Sequence, residues 1–118
     1  MKKIPWAIGH STGKEKAYID EAFATNWIAP LGPHVDALEN TLADYLGVKY
    51  AAATCSGTAA IHLALIQAGV TKDDTVISSD MTFAATCNPV KYIGAKLVFV
   101  DSNESTFNID VESLKLES

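Results

Sequence analysis

The sequence predicts an α/β domain: a parallel strand–helix–strand–helix–strand core behind two amino-terminal helices. Three observations carry this. Short apolar runs stand at 50–54, 75–79 and 96–100, helix-compatible stretches at 58–68 and 82–93 separate them, and Gly69 and Gly94 follow those stretches as stop signals. Apolar strands joined by helices argue for parallel pairing through right-handed crossovers. A chain of 118 residues suffices for one core and not for two, so the expectation is a single domain.

In chain order, Thr12-Gly13-Lys14-Glu15 resembles a capping box opening a helix over 14–25, with Ile19, Ala22 and Phe23 on one side. The stretch Asn26 to Pro33 holds two prolines and a glycine and cannot be regular helix. A second helix is expected over 35–46, where Val35, Leu38, Leu42, Tyr45 and Leu46 recur at helical spacing before Gly47. The strand at 50–54 rests on a run that includes three alanines, poor strand formers. The helix over 58–68 is apolar nearly all round and is therefore expected to be buried. The polar turn Thr71–Asp74 leads into the strand at 75–79, the helix at 82–93 carries Pro89 as a kink, and Lys96–Val100 is the clearest strand.

Composition narrows the function classes. Apolar residues make up 48% of the chain and charged ones 19%, which argues against disorder. No apolar run reaches the ~18 residues of a membrane span, and Pro5, Gly9 and His10 interrupt any signal-peptide stretch, so a cytoplasmic location is expected. Nine basic residues stand against fourteen acidic ones, a net charge of −5, with no cationic cluster to displace counterions from a nucleic acid. All nine are Lys. Without Arg there is no bidentate clamp, so a phosphate held here needs backbone amides, hydroxyls or Lys. Cys55 and Cys87 show no metal-binding spacing and are expected to pack as small buried hydrophobes; His10, His34 and His62 are solitary, and no metal site is expected.

In parallel sheets the ligand crevice lies outside the carboxyl ends of the strands. After the first expected strand, Cys55-Ser56-Gly57-Thr58 runs straight into a helix, offering hydroxyls beside the unpaired amides of a helix start. That combination can receive a phosphate dianion, but Ser, Thr and Gly are equally ordinary capping residues. After the second strand, Phe83 can stack on a flat heterocycle or pack in the core. After the third, Asp101 can cap a turn, coordinate a ligand or pair with a Lys.

Four segments taken together resemble a known series: Asn26-Trp27-Ile28-Ala29-Pro30-Leu31-Gly32-Pro33, the run from Cys55 through Ser56-Gly57-Thr58-Ala59 to Leu65, Thr82-Phe83-Ala84-Ala85-Thr86, and Gly94 to Asp101. In order and spacing they are similar to the amino-terminal part of the DegT/DnrJ/EryC1/StrS family, pyridoxal-phosphate-dependent enzymes acting on nucleotide-linked keto sugars. The resemblance implies part of the large domain of a fold type I, aspartate aminotransferase-like PLP-transferase. Residues 1–48 would form the amino-terminal helices and substrate loop, and 49–118 the start of the cofactor-binding α/β domain. It implies that Ser56, Gly57, Thr58 and Ala59 form the turn that holds the cofactor phosphate and that Phe83 stacks on the pyridine ring. It further implies that Asn26, Trp27, Ile28 and Ala29 line the sugar-nucleotide site, near a homodimer interface. The loop wording is closest to members that aminate UDP-linked 4-keto-6-deoxy sugars for surface glycans, with glutamate as amino donor.

The family's Schiff-base lysine and the carboxylate that pairs with the pyridinium nitrogen lie further on, and none of the nine lysines here has a matching context. The chain is therefore expected to be a fragment that does not transaminate alone, with no catalytic residue of its own. Two other readings stay open: a PLP-dependent sugar dehydratase on the same scaffold, and a non-catalytic binding module that keeps the phosphate turn.

Overall fold

The structure, a computed structural model, describes residues 3–5 and 7–117. Met1, Lys2 and Trp6, in the basic amino-terminal run, and Ser118 lie outside the described residues. The chain divides into two compact units, Met1–Ala53 and Thr54–Ser118.

The first unit holds α1 (Glu15–Ala24) and α2 (Pro33–Leu46). Their edges are set by local chemistry. Ahead of α1, Glu15 accepts the Thr12 amide at 2.8 Å as a capping box would. The helix begins later than that box requires: its cap is Lys14, with no side-chain cap bond, and Glu15 is its first residue. The other half of the box is altered: the Thr12 hydroxyl donates to the same carboxylate at 3.0 Å and accepts the Lys14 amide at 3.3 Å. Asn26 ends α1 in the left-handed conformation, φ 60°, with its amide on the Phe23 carbonyl and the Trp27 amide on the Ala22 carbonyl. This is the Schellman arrangement with Asn in the place usually taken by Gly. α2 starts two residues before the expected position because Pro33 occupies its first turn, where a missing N–H costs nothing. His34 of α2 meets Tyr18 of α1 edge-on, with ring centroids 5.2 Å apart.

The second unit holds α3 (Gly57–Gln67), β1 (Thr75–Ser79), α4 (Ala84–Ile93), β2 (Lys96–Val100) and α5 (Val111–Glu117). β1 and β2 pair in parallel from Thr75 opposite Lys96 to Ser79 opposite Val100, at the expected positions. The polar turn ahead of β1 is tied by Asp74, whose carboxylate accepts the Thr71 amide at 2.7 Å and hydroxyl at 2.8 Å. Those two bonds hold Asp74 below the usual carboxylate range. The core of this unit is small: Pro89 and Val90 of α4 are fully buried, with Ala95 and Val100 beside them. α4 packs on both strands and on α3, where His62 meets Tyr92 edge-on at 5.5 Å.

Four further expectations change. Residues 50–54 form no strand: the alanines contribute little, no neighbouring strand pairs with them among the described residues, and the Ala53 amide donates to the Glu39 carboxylate at 2.7 Å. α3 is not buried; Leu63 and Ile66 remain 43% and 53% exposed, because only α4 packs extensively against it among the described elements. α4 begins at Ala84 rather than Thr82, since Phe83 is extended at φ −77°, ψ 143°. Cys55 is exposed, lying in the turn ahead of α3 instead of a core, and Cys87 is half-buried.

Candidate functional site

The second unit places its three junctions at one end. β1 and β2 run parallel, so the segments leaving them, Asp80–Phe83 and Asp101–Asn103, emerge on the same edge. α3 packs alongside α4 and hands over to β1 through residues 68–74, which turns its amino terminus toward that edge too.

Ser56 is the cap of α3. Its backbone is extended, φ −163°, ψ 159°, its Oγ accepts the Ala59 amide at 3.2 Å and its carbonyl accepts the Ala60 amide at 3.1 Å. The capping reading is therefore correct, and the Ala59 amide is used by it. The amides of Gly57 and Thr58 are left over, with no acceptor among the described residues, and no acidic side chain stands in the first turn. Donors of this kind at a helix start, with the positive end of the dipole behind them, favour an anion. Gly57 is not required by the fold. Its φ is not positive, and a Cβ added there would meet nothing within 4 Å. Glycine in that position leaves the backbone uncovered by a side chain.

Phe83 is 81% exposed and so is not a core residue; its ring is free to offer a face. Asp101 behaves as a turn former, its carboxylate accepting the Ser102 amide at 2.7 Å. Composition gave no sign of one further group: Ser79, Asp80 and Ser102 meet across the strand ends. The Ser102 hydroxyl donates to the Asp80 Oδ1 at 3.1 Å and lies 2.6 Å from the Ser79 hydroxyl. Only the parallel register, which sets Ser79 opposite Val100, brings residues so distant in sequence together.

Asn26, Trp27, Ile28 and Ala29 belong to the first unit. Asn26 is the α1 stop, and Ile28 and Ala29 are exposed. The half-exposed Trp27 ring lies over Gly32, where a Cβ would come within 3.1 Å of it; with φ 144° as well, that position demands glycine. Trp27, Leu31, Gly32, Pro33 and Asp36 line an open groove of about 560 Å³.

Residues 10–117 match the model of the DegT/DnrJ/EryC1/StrS aminotransferase family. The chain belongs to that family. Among relatives of this family member, EpsN of Bacillus subtilis (strain 168) is 50% identical over 114 residues, covering 97% of this chain and 29% of the relative. A GDP-perosamine synthase of Escherichia coli O157:H7 is 38% identical over 115 residues, 98% of this chain and 32% of the relative. The structure of Spr1654 from Streptococcus pneumoniae in its PMP-form superposes with a TM-score of 0.88 at 30% identity, covering 99% of this chain and 29% of that one. This family member thus spans about 30% of the length of the relatives it matches, and its fold is part of the type I α/β domain. No helix among its described residues is long and apolar enough to cross a membrane.

Proposed function

We infer that this chain supplies the phosphate anchor and the ring platform of a pyridoxal-phosphate-dependent aminotransferase. The proposed reaction moves an amino group from an amino acid, glutamate, to a nucleotide-linked 4-keto-6-deoxy sugar, in a cytoplasmic homodimer making precursors for surface glycans. The observation that carries the reading is the open start of α3: two unclaimed amides, a glycine that the fold does not need, and no acid in the first turn.

The residues present fit the cofactor. Gly57 and Thr58 amides would donate to the phosphate, and the Thr58 hydroxyl, with no partner among the described residues, would add a third donor. The Ser56 hydroxyl accepts from Ala59 and keeps its own proton for the same use. Each bond from a neutral donor to a charged acceptor is worth about 1.5–3 kcal/mol, enough to replace an Arg clamp when several act together. Ala59, small and half-buried, lets the helix start approach closely. Phe83 would lie against the pyridine ring and hold it flat over the crevice. When bound, pyridoxal phosphate supplies the electron sink for moving the amino group. No lysine lies in the segments 54–59, 80–83 or 101–103, so the proton-moving amine is not among these residues. In the first unit, Asn26, Trp27, Ile28 and Ala29 would receive the nucleotide-linked sugar, Trp27 offering an apolar face.

The test uses the full-length protein. It should bind pyridoxal phosphate and, with glutamate, aminate a UDP-linked 4-keto-6-deoxy sugar. Turnover of the GDP-linked sugar alone would correct the nucleotide. Loss of the sugar's 3-hydroxyl without amination would make it a dehydratase, and no cofactor binding at all would leave a non-catalytic module.

A further inference from the structure

Among the described residues, packing does not set the direction of the Phe83 ring. At 81% exposure it has too few neighbours, so its orientation depends on the backbone of the 80–83 turn that carries it. Three backbone bonds shape that turn. The Asp80 amide donates to the Val100 carbonyl at 3.0 Å, extending the ladder past β1; the Thr82 amide folds back onto the Asp80 carbonyl at 3.0 Å; and the Thr86 amide donates to the Phe83 carbonyl at 2.9 Å.

A side-chain strap reaches the same turn from the other strand. Ser102 has one hydroxyl proton, and a carboxylate can only accept, so the 3.1 Å bond to Asp80 uses that proton. The Ser79 hydroxyl, 2.6 Å from Ser102, must then be the donor of that pair. The result is a directed chain, Ser79 to Ser102 to Asp80, running across the carboxyl ends of both strands. Ser102 is itself fixed, by its amide on the Asp101 carboxylate and by its antiparallel bridge to Ile109. Ser79 and Ser102 are both half-buried, so water competes less for the bond between them, whereas the bond from Ser102 to Asp80 lies at the exposed edge.

We propose that Ser102 is a positioning residue of the cofactor site: through Asp80 it holds the 80–83 turn and so aims the Phe83 ring. This rests on the reading of Phe83 as the stacking platform, and it couples the loops after β1 and β2 into one wall of the crevice. Ser102 itself need not touch the cofactor.

The experiment titrates the full-length protein with pyridoxal phosphate and records affinity together with the circular dichroism induced in the bound chromophore. Ser102→Ala should lower affinity roughly two- to tenfold, because the hydroxyl-to-carboxylate bond it removes is exposed and reaches the cofactor only through the turn, and change the induced signal. Ser102→Thr, which keeps the hydroxyl, should recover both. In a Phe83→Ala background Ser102→Ala should cost nothing further, because its effect travels through that ring. Without cofactor, the Asp80 and Thr82 amides should exchange faster in Ser102→Ala than in the unaltered protein. An unchanged affinity and signal in Ser102→Ala, or an equal loss with and without the Phe83 ring, would overturn the proposal. If Phe83→Ala itself binds as well as the unaltered protein, the platform reading falls and this inference with it; if Phe83→Ala is weakened and Ser102→Ala is not, only the inference falls.

Discussion

The starts of α1 and α3 answer the same electrostatic demand in opposite ways. Each presents free amides at the positive end of a helix dipole. α1 brings its own anion: the Glu15 carboxylate accepts the Thr12 amide at 2.8 Å and the hydroxyls of Ser11 and Thr12, both at 3.0 Å. The Thr12 amide, then its own amide and the Thr12 and Ser11 hydroxyls, bring the Glu15 pKa down to about 2. α5 does likewise, with Asp110 accepting the Ser113 hydroxyl at 2.7 Å and amide at 3.0 Å and held below the usual range by them. α3 has only the neutral Ser56 as cap and no acid in its first turn. A helix that supplies its own anion is closed to ligands; one that does not is open to an anion from outside.

The largest expected effect comes from making α3 resemble α1. Thr58→Asp in the full-length protein would set a fixed negative charge where the cofactor phosphate is proposed to sit. Like charges that close cost several kcal/mol, so pyridoxal phosphate affinity should fall by more than about a hundredfold. The thermal midpoint without cofactor should hold or rise, because an acid in a first helical turn is favourable. Retained affinity would show that the α3 start is only a cap.

Thr58→Val is the milder version, removing one donor while keeping volume. The expected loss in a cofactor titration is roughly ten- to hundredfold. Phe83→Ala, which removes contact area and the ring face, should cost about two- to tenfold, the worth of one aromatic contact, and Phe83→Trp should cost less.

On the α1 side, Glu15→Gln should leave cofactor affinity unchanged and alter the acid response of the first unit. Glu15 is depressed in the folded chain from 4.5 to about 2, so its stabilising contribution is complete above 4.5 and is lost as pH falls toward 2. Protection of the Thr12 amide, measured against its intrinsic exchange rate at each pH, should therefore fall through that window in the unaltered sequence and change little in Glu15→Gln. The smallest effect belongs to Cys55→Ala. Exposed and without a hydrogen bond, the thiol should be replaceable with cofactor affinity nearly unchanged; a loss as large as that of Thr58→Val would move the site off the α3 start.

Much of this was legible in the chain because it depends on short-range chemistry. The stops at Gly47, Gly69 and Gly94, the ends of β1 and β2, the Ser56 cap and the four motifs of the family all follow from residues a few positions apart. Asn26 belongs to the stretch that resembles a substrate loop; Asn adopts a φ of 60° more readily than most residues, but its role as the α1 stop also depends on the Phe23 and Ala22 carbonyls that take up its amide and that of Trp27. The segment 50–54 misled for a related reason. An apolar run becomes a strand only when another strand offers its amides and carbonyls, and none does among the described residues.

The sequence by itself determined that these helices form and where α2 and α4 stop, which residues carry hydroxyls and amides to the start of α3, and that no Arg competes for a phosphate there. Tertiary structure alone decided three further matters. Parallel pairing of β1 with β2 put Ser79, Asp80 and Ser102 in one hydrogen-bonded chain. The choice between an exposed and a buried Phe83 was made by the extended backbone at that residue and by a core that closes on Pro89 and Val90 instead. The open state of the Gly57 and Thr58 amides followed from what does not pack against them. The division has a physical basis: capping and turn chemistry act over three or four residues, whereas burial and strand register depend on partners that the chain reaches only by folding.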